Sequence, residues 1–402
     1  MLRAAAVLGL LISLLAPAAA AALDPYETVL VSRQNAADGG APSADGYNID
    51  TEISGDGRYV AFAGESANLA PGRPTTFYTG LYLRDLETET TTLIAFPAGS
   101  PSLSHDGRYL AYDAPAEGQD GAGKRQVYLR DSQTGTTTIV SRANGSEGAP
   151  ADDSAFDPTI SSDGRYVLFR SAARNLPGAK HRSTFLRDLR TGRTVAVGPR
   201  QRRRYDIWDA RLSGNGRYAV FGETEQYDGC CAETYRFRIH RYDLRTGRSR
   251  VVFKLNHDGL DRQTTPAISA SGRYVAFQHE GRFADGAGLK IYDAKTGRQR
   301  LLSRRSTVIR GNAPDLSASG RYVTFYAPSR SGFEGLRQWV YDRSRDRLHL
   351  ASRAPGRSGA AALGWNGSIS ADGRTVAFDS ESNNLPGGDT EWEQVYARRV
   401  LP

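Results

Sequence analysis

SGDGRYVAF, residues 54–62, returns six times: SHDGRYLAY from Ser104, SSDGRYVLF from Ser161, SGNGRYAVF from Ser213, SASGRYVAF from Ser269, SASGRYVTF from Ser317 and SADGRTVAF from Ser370. Successive serines stand 50, 57, 52, 56, 48 and 53 residues apart, so one supersecondary unit is copied with loops of variable length. An Ile or Leu precedes each serine and ends one strand, and Arg-Tyr-Val-Ala-Phe opens the next. Between them lies a hairpin turn, because glycine takes positive φ at little cost and a short polar side chain bonds nearby backbone. Asn215, Ser271 and Ser319 replace the Asp of this turn, which keeps the turn and loses a carboxylate. The Asp is therefore structural and not catalytic.

A second phrase recurs in each unit: LYLRDLETET, VYLRDSQTGT, TFLRDLRTGR, HRYDLRTGR, KIYDAKTGR and WVYDRSRDR. It reads as a strand ending in Asp, a turn and a fourth strand. Seven units of four short antiparallel strands, without useful helical periodicity, predict an all-β fold: a seven-bladed β-propeller of four-stranded antiparallel blades. The last unit, EQVYARRVLP, stops after its third strand, whereas ETVLVSR (Glu27 to Arg33) has the form of a lone fourth strand. The N-terminal strand is expected to complete the last blade and close the ring.

The Ser-x-Asp-Gly-Arg-Tyr-Val-Ala-Phe phrase, followed by Val-Tyr-Leu-Arg-Asp and Thr-Gly, resembles the WD40-like (PD40) repeat of TolB-type β-propellers. The resemblance covers residues 24 to 402 and implies fold far more than function. Many repeats of that family carry Pro before Asp-Gly, which is absent here, and TolB has a separate N-terminal α/β domain for which this chain has no room. A role in the Tol-Pal system is therefore not implied. Similar propellers precede prolyl-oligopeptidase catalytic domains, but this chain has no Gly-x-Ser-x-Gly elbow.

Residues 1–22 differ from the rest: Arg3, an apolar run from Ala4 to Leu15, Pro17 and small residues to Ala22. They read as a signal peptide cleaved near Ala22, leaving 23–402 as a single propeller domain, secreted or periplasmic, with no membrane anchor and expected to be a monomer. The mean hydropathy of -0.50 suits a turn-rich β protein rather than a disordered chain. Against 44 acidic residues stand 52 basic ones, nearly all arginine, for a net charge of +8. The excess is modest and no nucleic-acid partner is expected; the dense stretch at Arg200, Arg202, Arg203 and Arg204 reads as a solvated loop.

Within each unit the first-to-second and third-to-fourth turns are uniformly tight, so the variable length collects at the other end of the ring. Segments such as 63–80, 143–157, 199–211, 222–236 and 379–394 are expected to crowd that face, where binding resides. Counting back from the repeat serine picks out the channel mouth. Five positions before it stand Ile49, Gly99, Phe156, Trp208, Thr264, Asn312 and Trp365; the next position holds Asp50, Ser100, Asp157, Asp209, Thr265, Ala313 and Asn366. The pairs Phe156 and Asp157, Trp208 and Asp209, Trp365 and Asn366 are candidate ligand-binding residues, since rings beside carboxylates suit sugars or cations. The alternative is that the rings cover blade junctions and the acids bond local backbone.

No linear motif for a metal, cofactor or nucleophile appears. Asp152, Asp153 and Asp157, with Asp389 and Glu391, are weak candidates for calcium, although no calcium-loop spacing occurs. His257 and His279, with Tyr205 or Tyr227, are the candidates for acid-base chemistry on a polysaccharide. Cys230 and Cys231 are the only cysteines and are adjacent. They either bond to one another, remain thiols or pair between molecules. The first of these is a strained vicinal disulfide, since Cα atoms about 3.8 Å apart fall below the usual range of roughly 4.4–6.8 Å. The leading expectation is a non-enzymatic binding or scaffold propeller for an extracytoplasmic protein, peptide or glycan. A polysaccharide lyase with its site at the channel mouth is the rival.

Overall fold

Arg-Tyr-Val-Ala-Phe alternates two burial directions, and both are used. The computed structural model describes residues 23–402 except 39, 44–45, 71–77, 119–122, 180–182, 199–204, 229–232, 259–264, 280–287, 305–306, 310, 329–334 and 389–390. These residues form a seven-bladed β-propeller with strands a to d running outward in each blade. Blade 1 is Asn48–Ile53, Tyr59–Gly64, Gly80–Asp85 and Thr90–Ala95. Blades 2 to 6 occupy 99–139, 155–197, 205–258, 267–301 and 312–350. Blade 7 is Trp365–Ile369, Thr375–Ser380, Gln394–Arg399 and, as its strand d, Thr28–Leu30. That N-terminal strand pairs with the third strand through Val29 and Ala397, so the ring closes as the lone ETVLVSR segment suggests.

The core is divided into seven apolar clusters, one at each blade junction. Val60 and Phe62 pack toward blade 7 with Ala377 and Val395, while Ala61 packs toward blade 2 with Leu103 and Leu110. A strand buried on both faces selects apolar side chains, and the one polar residue within the phrase's apolar run, Thr324, is buried with its hydroxyl donating to Trp339 O.

The rest of the phrase is a set of fastenings. Ser54 Oγ donates to Asp56 Oδ1 (2.6 Å) and accepts from Tyr59 N (2.9 Å), locking the a–b turn. Arg58 forms a bidentate pair with Asp85 at the end of strand c, and its guanidinium lies over the Tyr59 ring. Equivalent Arg–Asp pairs recur at Arg108–Asp131, Arg165–Asp188, Arg217–Asp243, Arg273–Asp293 and Arg321–Asp342. Blade 7 departs as its sequence does: Arg399 stands at the Asp position, and Thr375 replaces the tyrosine. Each turn glycine has positive φ, and all but Gly57, which meets Thr375, seat on the tyrosine of the preceding blade; a Cβ at Gly107 would stand 2.1 Å from Tyr59 Cδ2.

One difference from the sequence reading concerns blade 4. Segments expected as loops are long strands: Tyr218–Asp228 pairs with Glu233–Asp243, and the latter with Arg248–Asp258. The alternation Tyr235, Phe237, Ile239 has strand period and lengthens the hairpin. Trp208 stacks on Phe237 at its base, followed by Phe253 and Phe277 of blade 5.

Candidate functional site

Every described strand a except that of blade 5 breaks register, between Ile49 and Glu52, Gly99 and Ser102, Phe156 and Thr159, Trp208 and Arg211, Asn312 and Asp315, and Trp365 and Ser368. Each break is a β-bulge whose first residue is left-handed: Asp50, Ser100, Asp157, Asp209, Ala313 and Asn366 have φ between 42° and 56°. These residues, with Thr265, line a central cavity of about 440 Å³. Bulges re-aim side chains and are costly for residues other than glycine, so an unlike set of side chains held this way is a placement worth chemical attention.

The cavity has an uneven charge. Asp50, Glu52, Asp157, Asp209 and Asp315 face it with a single cation, Arg211, among its described lining residues. Burial pushes the Glu52 carboxyl up to about 8; neighbouring Asp315 adds to the rise and Arg211 opposes it. Asp50 is raised by burial and by Asp157, against the Ser100 N–H and Arg211, which hold it down. Asp315 is raised by burial, although the Leu316 and Ile369 N–H groups donate to it. A second layer supports the ring. Asp379 is fully buried, accepts from Thr51 Oγ1 and Asn366 Nδ2, and is raised well above its ordinary range by burial. Arg125 pairs with Asp113, whose other oxygen accepts from Asp157 N at 3.3 Å.

The origin of Glu52 and Arg211 lies two residues before the repeat serine. There Ser102, Thr159 and Ser368 accept the backbone N–H of the next blade, from Ile160, Leu212 and Ile53. Glu52 and Arg211 occupy the same position with long charged side chains that turn to the cavity instead. Sequence reasoning missed both, and missed Asp315, which stands in the same column and accepts the Ile369 N–H; the signal was available in this column, where three charges and Ala267 interrupt the hydroxyls of Ser102, Thr159 and Ser368.

Of the candidate residues, Asp157, Asp209 and Asn366 come together at the cavity. Their aromatic partners lie off its lining. Trp208 is buried, donating Nε1–H to Thr224 Oγ1 and stacking on Phe237. Trp365 donates to Glu393, whose carboxyl burial pushes up to about 7. Phe156 carries the Arg170 guanidinium 4.9 Å above its ring, and Arg170 pairs with Asp157. Asp152 and Asp153 bond backbone, Asp152 accepting from Arg174 N of the following loop and Asp153 from the adjacent Ser154 N. Among the described residues no three His, Cys, Asp or Glu side chains converge to hold a metal ion. Tyr205, Tyr227, His257 and His279 lie in strands of blades 4 and 5, their side chains outside the described residues; Cys230, Cys231 and Asp389 lie wholly outside them.

No family model and no curated protein matches this chain. Solved structures do. The β-propeller domain of the Trilobed protease from Pyrococcus furiosus is similar at 11% identity and a TM-score of 0.55, over 88% of this chain and 95% of that one. That domain is described as having an open velcro topology, whereas here strand d of blade 7 closes the ring. An acylaminoacyl peptidase is similar at 14% identity and a TM-score of 0.53, over 88% of this chain and 51% of that one, so this chain spans about half of its length. TolB from Acinetobacter baumannii matches at 19% identity and a TM-score of 0.41, over 70% of this chain and 60% of that one. The class is thus a closed seven-bladed β-propeller. At these identities the likeness is one of fold, and function rests on the site.

Proposed function

We propose that the chain is an exported, non-enzymatic binding propeller that takes a positively charged segment of a protein or peptide into its central cavity from the long-loop face. The observation that carries this reading is the lining itself: four aspartates, a Glu52 carboxyl that ionises only as pH rises toward 8, and one arginine, at positions where the repeat varies, on a scaffold whose repeated positions are consumed by turns and packing. Low-dielectric walls strengthen such a field for an entering cation. Titration calorimetry with a short oligolysine peptide, and with a polyglutamate of equal length, tests it. Saturable binding of the first alone is expected; equal binding of both, or of neither, contradicts the proposal.

One feature favours a second reading, a polysaccharide lyase: a carboxyl at Glu52 that stays protonated near neutral pH can donate a proton to a leaving oxygen. Formation of unsaturated product from an acidic glycan, lost in Glu52→Gln, supports that reading; its absence across a glycan panel removes it.

A further inference from the structure

Three loops joining strand d of one blade to strand a of the next form a family of their own. They are 33–42, 142–150 and 353–361, each closed by one isolated bridge: Arg33 with Pro42, Arg142 with Pro150, Arg353 with Ala361. Each rests on an arginine of strand c and the threonine paired with it in strand d: Arg84 and Thr91, Arg187 and Thr194, Arg398 and Thr28. In all three the threonine hydroxyl donates to the carbonyl of the loop arginine, at 2.7, 2.7 and 2.8 Å. The three seat arginines are 3%, 4% and 1% exposed.

Two of these seats are filled by the chain. Arg187 donates to the carbonyls of Ala143, Gly145 and Gly192, and Arg398 to those of Ala354 and Gly356. The arrangement needs Gly145 and Gly356, whose φ values are 94° and 93° and whose N–H groups bond Gly192 O on the c–d turn of blade 3 and Tyr26 O just before strand d of blade 7. No L side chain adopts that φ readily. Three residues after Arg33, at the corresponding place in the first loop, stands Ala36, and the chain departs there into a short 3₁₀ turn, Ala36–Asp38.

The consequence falls on Arg84. Among the described residues its guanidinium makes one hydrogen bond, Nη1–H to Thr91 Oγ1 at 3.0 Å, with the exposed Glu89 carboxylate 4.0 Å from Nη2. Burial and the nearby Arg33 lower its pKa to about 10. Beside it lies a cavity of about 320 Å³, walled by Leu23, Val29 and Leu86, with four carboxyl groups (Asp24, Glu27, Glu87 and Glu89) outnumbering its two arginines, Arg84 and Arg33.

We infer that this cavity is a seat for a glycine-containing peptide turn of a partner protein, whose main-chain carbonyls bond Arg84 as the chain's own loop carbonyls bond Arg187 and Arg398. Neutral carbonyls suit the site better than an anion, because the acidic rim repels negative charge while the buried guanidinium still demands acceptors.

The test is NMR observation of arginine side-chain N–H signals in the full chain during titration with the capped peptide Ala-Asn-Gly-Ser-Glu-Gly, which copies 143–148, and separately with acetate and phosphate. A saturable shift of the Arg84 signal with the peptide, exceeding that with either anion, is expected. Replacing residues 33–42 by the sequence of 142–150 lets the chain fill its own seat and should weaken peptide binding about tenfold or more. Ala36→Gly, a milder change toward the same closure, should weaken it in the same direction. No saturable shift, a larger response to acetate or phosphate, or unchanged binding in both variants would overturn the inference.

Discussion

Ala371 N donates to Gly55 O at 2.8 Å, joining the a–b turn of the last blade to that of the first. The same contact runs round the whole ring: Asp56 to His105, His105 to Ser162, Ser162 to Gly214, Asn215 to Ala270, Ala270 to Ala318 and Ala318 to Ala371. A circle of backbone bonds is cooperative only while it is closed, and the strand that keeps blades 7 and 1 adjacent is Thr28–Leu30. Deleting residues 23–34 is therefore expected to cause aggregation or loss of the folding transition, read by thermal unfolding with light scattering. A soluble truncated chain with an unchanged melting temperature contradicts the role of closure.

The contact of Gly107 with Tyr59 predicts a pairwise coupling. Gly107→Ala meets both a backbone at φ +67° and the Tyr59 ring, and should cost about 2–4 kcal/mol of stability. In a Tyr59→Ala background only the backbone strain remains, about 1–2 kcal/mol. A double-mutant cycle by denaturant unfolding checks this; additive effects would mean that the ring and the turn do not touch.

Acid should loosen the blades through the Arg–Asp pairs. The Arg108, Arg165 and Arg273 guanidiniums hold Asp131, Asp188 and Asp293 down at about 2. Since the folded values lie below the unfolded value near 3.9, this stability is complete above roughly pH 5 and is lost as pH falls toward 2. The triple variant Asp131→Asn, Asp188→Asn, Asp293→Asn should melt lower than the parent at neutral pH and show a smaller further drop on acidification. A parallel drop in both proteins would remove the pairs from the account.

Glu52 works in the opposite sense. Its folded value of about 8 lies above the unfolded one, so its favourable contribution is present in acid and is lost as pH rises through about 8. Glu52→Gln should melt like the parent near pH 4 and higher than it near pH 9. The same ionisation should make oligolysine bind more tightly to the parent as pH rises, and much less so to Glu52→Gln.

Most of the fold was legible because turn chemistry and two-sided burial leave a repeated mark. Ser54, Asp56, Gly57, Arg58 and Tyr59 each satisfy a contact made within one blade or with its neighbour, so each recurs, with Asn or Ser standing for the Asp in blades 4 to 6 and Thr375 for the tyrosine in blade 7. The channel ring at Asp50, Asp157, Asp209 and Asn366 was legible by counting back from the serine. The rings beside it do not share the cavity because residues adjacent in a bulged strand do not face the same way: Asp209 faces the cavity while Trp208 is buried against Phe237. Blade 4 was misread because its hairpin lengthens through polar residues alternating with Tyr235 and Phe237, a composition that reads as a loop. The seat at Arg84 left only a trace, the alanine at position 36 where two sister loops carry glycine.

The central claim divides the chain into repeated positions that build the ring and unrepeated cavity positions that bind. It is tested most directly by oligolysine titration of two variants beside the parent: Asp50→Asn with Asp209→Asn in the cavity, and Asp131→Asn in a blade fastening. The cavity pair should keep the parent's melting temperature within a few degrees and weaken binding about tenfold or more, while Asp131→Asn should lower melting and leave affinity unchanged. Affinity unaltered in the cavity pair, with the protein folded, would contradict the account.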